Sequence, residues 1–234
     1  MSLILNIETA TGVCSVALAK DGQLLSFKES ATKNNHASVL TLFMDEVIKT
    51  AGITLSELDA IAVSEGPGSY TGLRIGVAAA KGLCFALDRP LIAVNTLQAM
   101  SLGMICSVSP EQKSYALYCP MIDARRMEVY CAVFDDMGKE IRETRAEIIE
   151  ENSFREFLSE NKVIFAGDGA LKCRNLIEKH SNAVFLVDFH TSAKFMITLS
   201  EKKYLQRKFE NLAYFEPYYL KDFIAGKPRV KGLK

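Results

Sequence analysis

The sequence predicts an α/β fold of two similar lobes, each with a mixed sheet and crossover helices. The first half reads as three short strands, a helix, a strand, a helix and a strand, an order typical of an antiparallel meander continued by parallel strands. The second observation is an internal repeat: Ile7-Glu8 is followed by Asp21 at the same spacing as Ile122-Asp123 by Asp136, an offset of 115 residues. A repeat of about half the chain indicates two lobes built on one plan.

In the first half, the strands are predicted from short apolar or alternating runs. Asp21-Gly22 is a hairpin turn signal between the second and third of them. The predicted strands are Leu3–Ile7, Val13–Lys20, Gln23–Glu29, Leu58–Val63 and Leu91–Val94. Helices are predicted over Ala37–Ala51, where apolar residues recur at helical spacing up to Gly52, and over about Tyr70–Leu87.

The second half begins in the same way. Strands are predicted at Tyr115–Ile122 and Met127–Phe134, with a turn at 135–138 into a third, and at Val163–Ala166. Helices are predicted from Ser153, over Ala170–His180 and over about Ser192–Arg207. We therefore predict a first lobe at 1–104, a smaller second lobe at 105–226 and a basic, mobile tail at 227–234.

The composition of the chain argues against several classes of protein. The 28 basic and 28 acidic side chains cancel, whereas a dedicated nucleic-acid binder usually has a basic excess. The six cysteines show no C-x-x-C spacing and are expected to be reduced thiols. We expect no signal peptide and no membrane span, and hence a cytoplasmic protein.

Three polar turns are candidate nucleotide or phosphate contacts. Glu8 and Thr9 end the first strand; Gly66, Gly68 and Ser69 form a glycine-rich loop before a helix. Gly167, Asp168 and Gly169 occupy the corresponding place in the second lobe. An ordinary structural turn explains each of them at least as well. A fourth motif, Asp123-Ala124-Arg125-Arg126, could hold a phosphate, pair across an interface or form a solvated turn.

The helix that follows the glycine-rich loop predicts a contact surface. Small residues recur every fourth position at Gly72, Gly76, Ala80 and Cys84, and the other faces are apolar. A stripe of this kind lets another helix approach closely, so we expect it to meet the Ala37–Ala51 helix, a second chain, or both.

The histidines provide no metal-binding pair. They stand at His36, His180 and His190, and the position four after His36 is Leu40. An H-x-x-x-H pair on a helix, the usual source of two zinc or iron ligands, is therefore missing from the sequence. We predict no metal ligand, no catalytic residue and no cofactor, while a nucleotide at a cleft or subunit interface stays open.

Five segments together resemble the TsaB family, the accessory subunit of bacterial tRNA threonylcarbamoyladenosine synthesis. They are 4–10 (ILNIETA), 66–76 (GPGSYTGLRIG), 123–130 (DARRMEVY), 166–169 (AGDG) and 216–221 (EPYYLK). The resemblance runs over nearly the whole chain in the same order.

The resemblance implies an actin-like ASKHA fold, a duplicated ribonuclease H-like architecture. It implies a paralogue of the catalytic TsaD-type subunit, which binds a metal through H-x-x-x-H. Leu40 replaces the second ligand here, so this chain is expected to be a non-catalytic, dimerising subunit that supports that enzyme.

The resemblance also implies partners. They are a TsaD-type subunit, a TsaE-type P-loop ATPase, a second copy when the chain is alone, and tRNA only through the complex. The expected partner interface consists of residues on the two first-lobe helices: His36, Leu40, Phe43, Val47, Gly72, Leu73, Gly76, Ala80 and Leu83.

Two other functions remain open from the sequence. One is an actin-fold ATPase or small-molecule kinase acting alone through Glu8, the glycine-rich loop and Asp168. The other is direct tRNA binding through the basic tail, which zero net charge disfavours.

Overall fold

The computed structural model describes residues 1–31, 36–109 and 115–221. Its first sheet consists of β1 (Leu3–Glu8), β2 (Cys14–Lys20), β3 (Gln23–Ser30), β4 (Ala60–Gly66) and β5 (Leu91–Asn95). Its second sheet consists of β6 (Ala116–Asp123), β7 (Glu128–Phe134), β8 (Glu140–Ile148), β9 (Lys162–Ala166) and β10 (Ala183–Leu186).

The two sheets have the same topology. The strand order is β3-β2-β1-β4-β5 in the first and β8-β7-β6-β9-β10 in the second. In both, the first three strands are antiparallel neighbours and the last two join in parallel. The chain therefore has the two-lobed α/β fold that the sequence repeat predicts, in the duplicated, actin-like form that the family resemblance implies.

Helices cover both sheets. They are α1 (His36–Ala51), α2 (Tyr70–Leu87), α3 (Thr96–Ser107), α4 (Arg155–Leu158), α5 (Asp168–Ile177) and α6 (Ile197–Leu205). Helices α1 and α2 lie side by side on one face of the first sheet. Helix α3 packs against strands of both sheets, because Ala99 contributes to the first-lobe core and Met100 to the second. It thereby joins the two lobes.

The end of the described chain returns to the first lobe. Residues 193–205 pack on the free face of the first sheet, where Met196 and Ile197 cover small alanines of β2 and β4. Residues 210–221, which we call the strap, then run along β5: the N–H of Glu210 donates to the Leu91 carbonyl at 2.9 Å. The predicted boundaries 1–104 and 105–226 stay a prediction, and the first lobe is completed by residues from the end of the chain.

Three elements differ from the sequence-based expectation. Helix α3 and strand β10 were not predicted, since α3 is apolar all round and β10 has only four residues. The helix expected from Ser153 is a single turn, Arg155–Leu158. The tail at 227–234 lies outside the described residues. In the part of the chain that the structure describes, no helix has the length and apolar character needed to cross a bilayer.

Candidate functional site

The turn after β1 is sealed beneath the glycine-rich loop. Glu8 is only 1% exposed and Thr9 is fully buried. The Ser69 N–H donates to the Ala10 carbonyl at 2.6 Å, and this bond holds the loop over the turn. A ligand has no access to these side chains in this conformation, and the phosphate cleft at Glu8 and Thr9 stays a prediction.

Two glycines of the small-residue stripe on α2, Gly72 and Gly76, pack against this turn. A Cβ at Gly72 would lie 2.1 Å from the Thr9 carbonyl oxygen, and one at Gly76 would lie 2.2 Å from the Thr9 hydroxyl. A Cβ at Gly68 would lie 2.3 Å from the Ala10 carbonyl oxygen. Because each of these distances is far below van der Waals contact, the glycines allow α2 and the loop before it to lie against the chain's own turn.

Burial dominates the electrostatics of Glu8. Loss of solvent raises the pKa of its carboxyl from 4.5 to about 7, against the opposing effect of hydrogen bonds from the Ala10 N–H and Ser64. The Ala10 N–H donates to Glu8 Oε1 at 2.6 Å. The Thr9 hydroxyl beside it is buried and has no hydrogen-bond partner among the residues that the structure describes. This carboxyl is accordingly a buried group that exchanges its proton near neutral pH.

The corresponding turn of the second lobe is open. Asp123 ends β6 as Glu8 ends β1, but its side chain is 42% exposed and pairs with Lys172. Asp168 Oδ1 accepts from the N–H groups of Asp123 and Gly169, both at 2.9 Å. The Asp168 carboxylate thus occupies amides at the start of α5 that an incoming phosphate would need.

Gly167 and Gly169 contribute backbone packing at this turn. A Cβ at Gly167, whose φ is +99°, would lie 2.2 Å from the Met121 carbonyl oxygen. A Cβ at Gly169 would lie 2.9 Å from the Ile122 carbonyl carbon. The G-x-G pattern therefore fits the close approach of α5 to β6, and a phosphate site at Gly167, Asp168 and Gly169 stays a prediction.

His36 lies at the start of α1 and faces inward. It is buried, and its Nε2 lies 2.8 Å from the carbonyl oxygen of Thr11. The next turn of the helix places Leu40 in the core, 1% exposed. Among the described residues there is no group of three or more histidine, cysteine, aspartate or glutamate side chains suited to a metal ion.

Most residues of the predicted partner interface face the chain's own sheet. Leu40, Phe43 and Val47 belong to the first-lobe core. On α2, Gly72, Leu73, Gly76 and Ala80 are likewise buried, and Leu83 is half-buried against the same core. These positions pack within the first lobe in this structure, and their place in a partner interface stays a prediction.

The accessible surface of these helices is formed by other residues. On α2, Phe85 is 84% exposed and is flanked by exposed Ala78, Gly82 and Ala86. On α1, Leu42 is 58% exposed. A Cβ at Gly82 would meet no atom within 4 Å. We call these exposed positions the α1/α2 outer face; none of them is among the residues of the predicted partner interface.

A groove between the two lobes was not foreseen from the sequence. It has a volume of about 730 Å³ and lies between the strap and β8, the edge strand of the second sheet. Its carboxylates are Glu65, Glu140, Glu143, Glu210 and Glu216. These residues are scattered over the sequence, so no local motif indicates them; only the return of the strap brings them together.

The chain is similar in sequence to several known proteins. A sequence model described as TsaD, tRNA N6-adenosine threonylcarbamoyltransferase, matches residues 29–228. The tRNA threonylcarbamoyladenosine biosynthesis protein TsaB of Haemophilus influenzae is 29% identical over 238 residues, which cover 96% of this chain and 95% of that protein. TsaB of Escherichia coli is 37% identical over 131 residues, 56% of this chain and 54% of that protein.

A solved structure agrees over nearly the whole fold. A Pseudomonas aeruginosa protein described as similar to peptidase YeaZ superposes with a TM-score of 0.82 at 26% identity. The match covers 94% of this chain and 100% of that one.

Proposed function

The chain belongs to the TsaB family, within the wider family of the matching threonylcarbamoyltransferase model, and from that premise we propose that it is a non-catalytic subunit for threonylcarbamoyladenosine synthesis in tRNA. It pairs through the α1/α2 outer face with a TsaD-type catalytic subunit. The observation that carries this proposal is the exposed apolar surface around Phe85.

An aromatic side chain left in water at the centre of small neighbours is typical of an interface anchor. Phe85 is surrounded by Ala78, Gly82 and Ala86, which leave room for a partner backbone to approach. Leu42 is a second exposed apolar side chain, on the neighbouring helix α1. Because α1 and α2 are fixed to the first sheet by their buried faces, the surface is rigid before the partner arrives, which lowers the entropic cost of association.

The buried polar groups support a non-catalytic role. Glu8, the carboxylate at the end of the first strand, is enclosed by the glycine-rich loop, so a substrate has no path to it. His36 directs Nε2 to a backbone carbonyl, and Leu40 stands where the family resemblance places a second metal ligand. The catalytic chemistry accordingly belongs to the partner.

The proposal also includes the other partners of the chain and its location in the cell. The chain forms a homodimer through this face when the TsaD-type subunit is absent, and a TsaE-type P-loop ATPase joins the complex. tRNA is bound only through the complex. A cytoplasmic location is supported by the described cysteines, which are all unpaired thiols.

The test is to place a charge at the anchor. Phe85→Glu should weaken binding to the TsaD-type subunit by about 30-fold, because it buries an unpaired carboxylate in an apolar contact. Leu205→Glu is the matched control, since Leu205 is 71% exposed on α6, away from the proposed face. Binding is measured by analytical ultracentrifugation and modification by mass spectrometry of tRNA nucleosides.

Two results would overturn the proposal. If Phe85→Glu binds the catalytic subunit as tightly as Leu205→Glu does, the interface lies elsewhere. If the isolated chain hydrolyses Mg-ATP or phosphorylates a small molecule, it is an enzyme in its own right.

A further inference from the structure

The second half of the strap, residues 216–221, is mostly exposed. The first half is anchored, because Leu212 and Phe215 pack against the first-lobe core. In the second half, Tyr218 and Tyr219 keep 42% and 36% of their surface in contact with solvent. A segment that buries so little apolar surface can detach at a small cost in free energy while the rest of the molecule stays folded.

Two contacts place this half of the strap on the glycine-rich loop. The Tyr218 N–H donates to the carbonyl of Glu65, the residue before the loop, at 2.7 Å. The Tyr218 carbonyl oxygen lies against Gly66, where a Cβ would come within 2.8 Å of it. Strap and loop therefore meet backbone to backbone, which only a residue without a side chain permits. The strap forms an outer layer over the loop.

A third contact joins the strap to the helix that follows the loop. The ring of Tyr219 lies against that of Tyr70, the first residue of α2, with the ring centroids 4.9 Å apart. Tyr70 follows Ser69, whose hydroxyl caps α2 by accepting the Gly72 N–H at 3.3 Å. The Ser69 N–H in turn donates to the Ala10 carbonyl. The strap thus braces the residues that close the loop over the turn after β1.

The end of the strap is fastened to the other lobe. Lys221 forms an ion pair with Glu128, the first residue of β7. Glu128 is fixed in the second lobe, because its carbonyl accepts from Lys172 Nζ at 2.7 Å and its N–H donates to the Arg125 carbonyl at 3.2 Å. Within the described residues this is the only ion pair that the strap makes. The exposed half of the strap therefore runs from an anchored end in the first lobe to one charged contact on the second.

We propose that the strap is a latch: the contact of Lys221 with Glu128 keeps the glycine-rich loop closed over the turn after β1, and loss of this contact opens the loop to solvent. The connection is a series of adjoining contacts, from Lys221 through Tyr219 on α2 and Tyr218 on the loop. Closure of a turn in the first lobe thereby depends on a residue of the second. The latch does not depend on whether the α1/α2 outer face binds a partner.

Amide hydrogen exchange of the full-length chain, followed by NMR, tests the latch. The reporters are the N–H groups of Ser69 and Ala10, since both are hydrogen-bonded inside the closed loop and turn. Lys221→Gln should speed their exchange about fivefold, the modest effect expected of a partly exposed ion pair. Tyr219→Ala should speed it about tenfold, because it removes the ring contact with α2.

Two controls separate the latch from a general effect of charge or stability. Lys179→Gln is the matched variant, since it removes an exposed ion pair with Glu151 in the second lobe and should leave both reporters at the parent rate. The charge-swapped variant Lys221→Glu/Glu128→Lys should restore slow exchange. High salt should speed the reporters in the parent chain but not in Lys221→Gln.

The amides of β9, in the core of the second lobe, complete the test. They should keep the parent exchange rate in every variant, because opening of the latch leaves that sheet intact. If the reporters in Lys221→Gln exchange as slowly as in Lys179→Gln, the strap is not a latch. If the β9 amides are accelerated as much as the reporters, the variant has lost stability throughout and the proposal is overturned as well.

Discussion

The ends of β1 and β6 occupy equivalent places in two lobes of identical topology, yet their carboxylates have opposite surroundings. Glu8 is sealed beneath a loop held by Ser69, whereas Asp123 is exposed and pairs with Lys172. Both turns are nevertheless packed by glycines that touch backbone: Gly72 against Thr9 and Gly167 against Met121. The close backbone approach is thus the shared feature, and the exposure of the carboxylate is what has diverged.

Substitutions at the glycines that make the close backbone approach should change the free energy of unfolding most. Gly167→Ala should lower the free energy of unfolding by about 3–5 kcal/mol, because it adds a clash with the Met121 carbonyl to an unfavourable positive φ. Gly72→Ala should lower it by about 3 kcal/mol through the clash with the Thr9 carbonyl alone. Urea denaturation of both variants measures the difference.

Gly82→Ala is the control on the same helix. Nothing lies within 4 Å of its Cβ position, so alanine should stabilise α2 by about 0.5–1 kcal/mol. If Gly72→Ala is as stable as Gly82→Ala, the stripe does not pack against the turn. By the same geometry, Gly76→Leu would disrupt the first lobe before it affected any partner.

The sealed carboxylate should make stability depend on pH. The pKa of Glu8 is about 7 in the folded chain against 4.5 ordinarily, so between these values the folded chain keeps a proton that the unfolded chain has released. The free energy of unfolding should therefore fall by about 2 kcal/mol as the pH rises from about 5 to about 7. Glu8→Gln keeps the shape and removes this titration, so urea midpoints across the range should show a shallower slope. An unchanged slope would contradict the assignment.

Replacing the exposed carboxylate of Asp123 should change the stability least. Asp123→Asn removes the ion pair with Lys172 but keeps an oxygen for the Arg125 N–H, which donates to it at 2.8 Å. Exposed pairs contribute about 0–1 kcal/mol, so the thermal midpoint should change little and the pH slope due to Glu8 should persist. A loss as large as that of Gly72→Ala would show that the two turns are energetically alike and would remove the contrast between the lobes.

The duplicated plan could be predicted because strand order and the spacing from Glu8 to Asp21 are local features of the sequence. Which side of α1 and of α2 packs on the chain's own sheet could not be predicted. Small residues such as Gly72 and Gly76 suit either a partner helix or the chain's own turn, and only the position of Thr9 decides between them. The acidic groove was also beyond prediction, since Glu65 and Glu216 meet through a strap that returns from the far end of the chain.

The return of the end of the described chain to the first lobe has a consequence for synthesis on the ribosome. Leu212 and Phe215 pack against the first-lobe core, and Met196 covers the other face of its sheet. The first lobe, although made first, keeps apolar surface uncovered until residues 196–215 have emerged. Nascent chains stalled before these residues should therefore expose β5 and engage chaperones, whereas release of the last segments closes both faces almost at once.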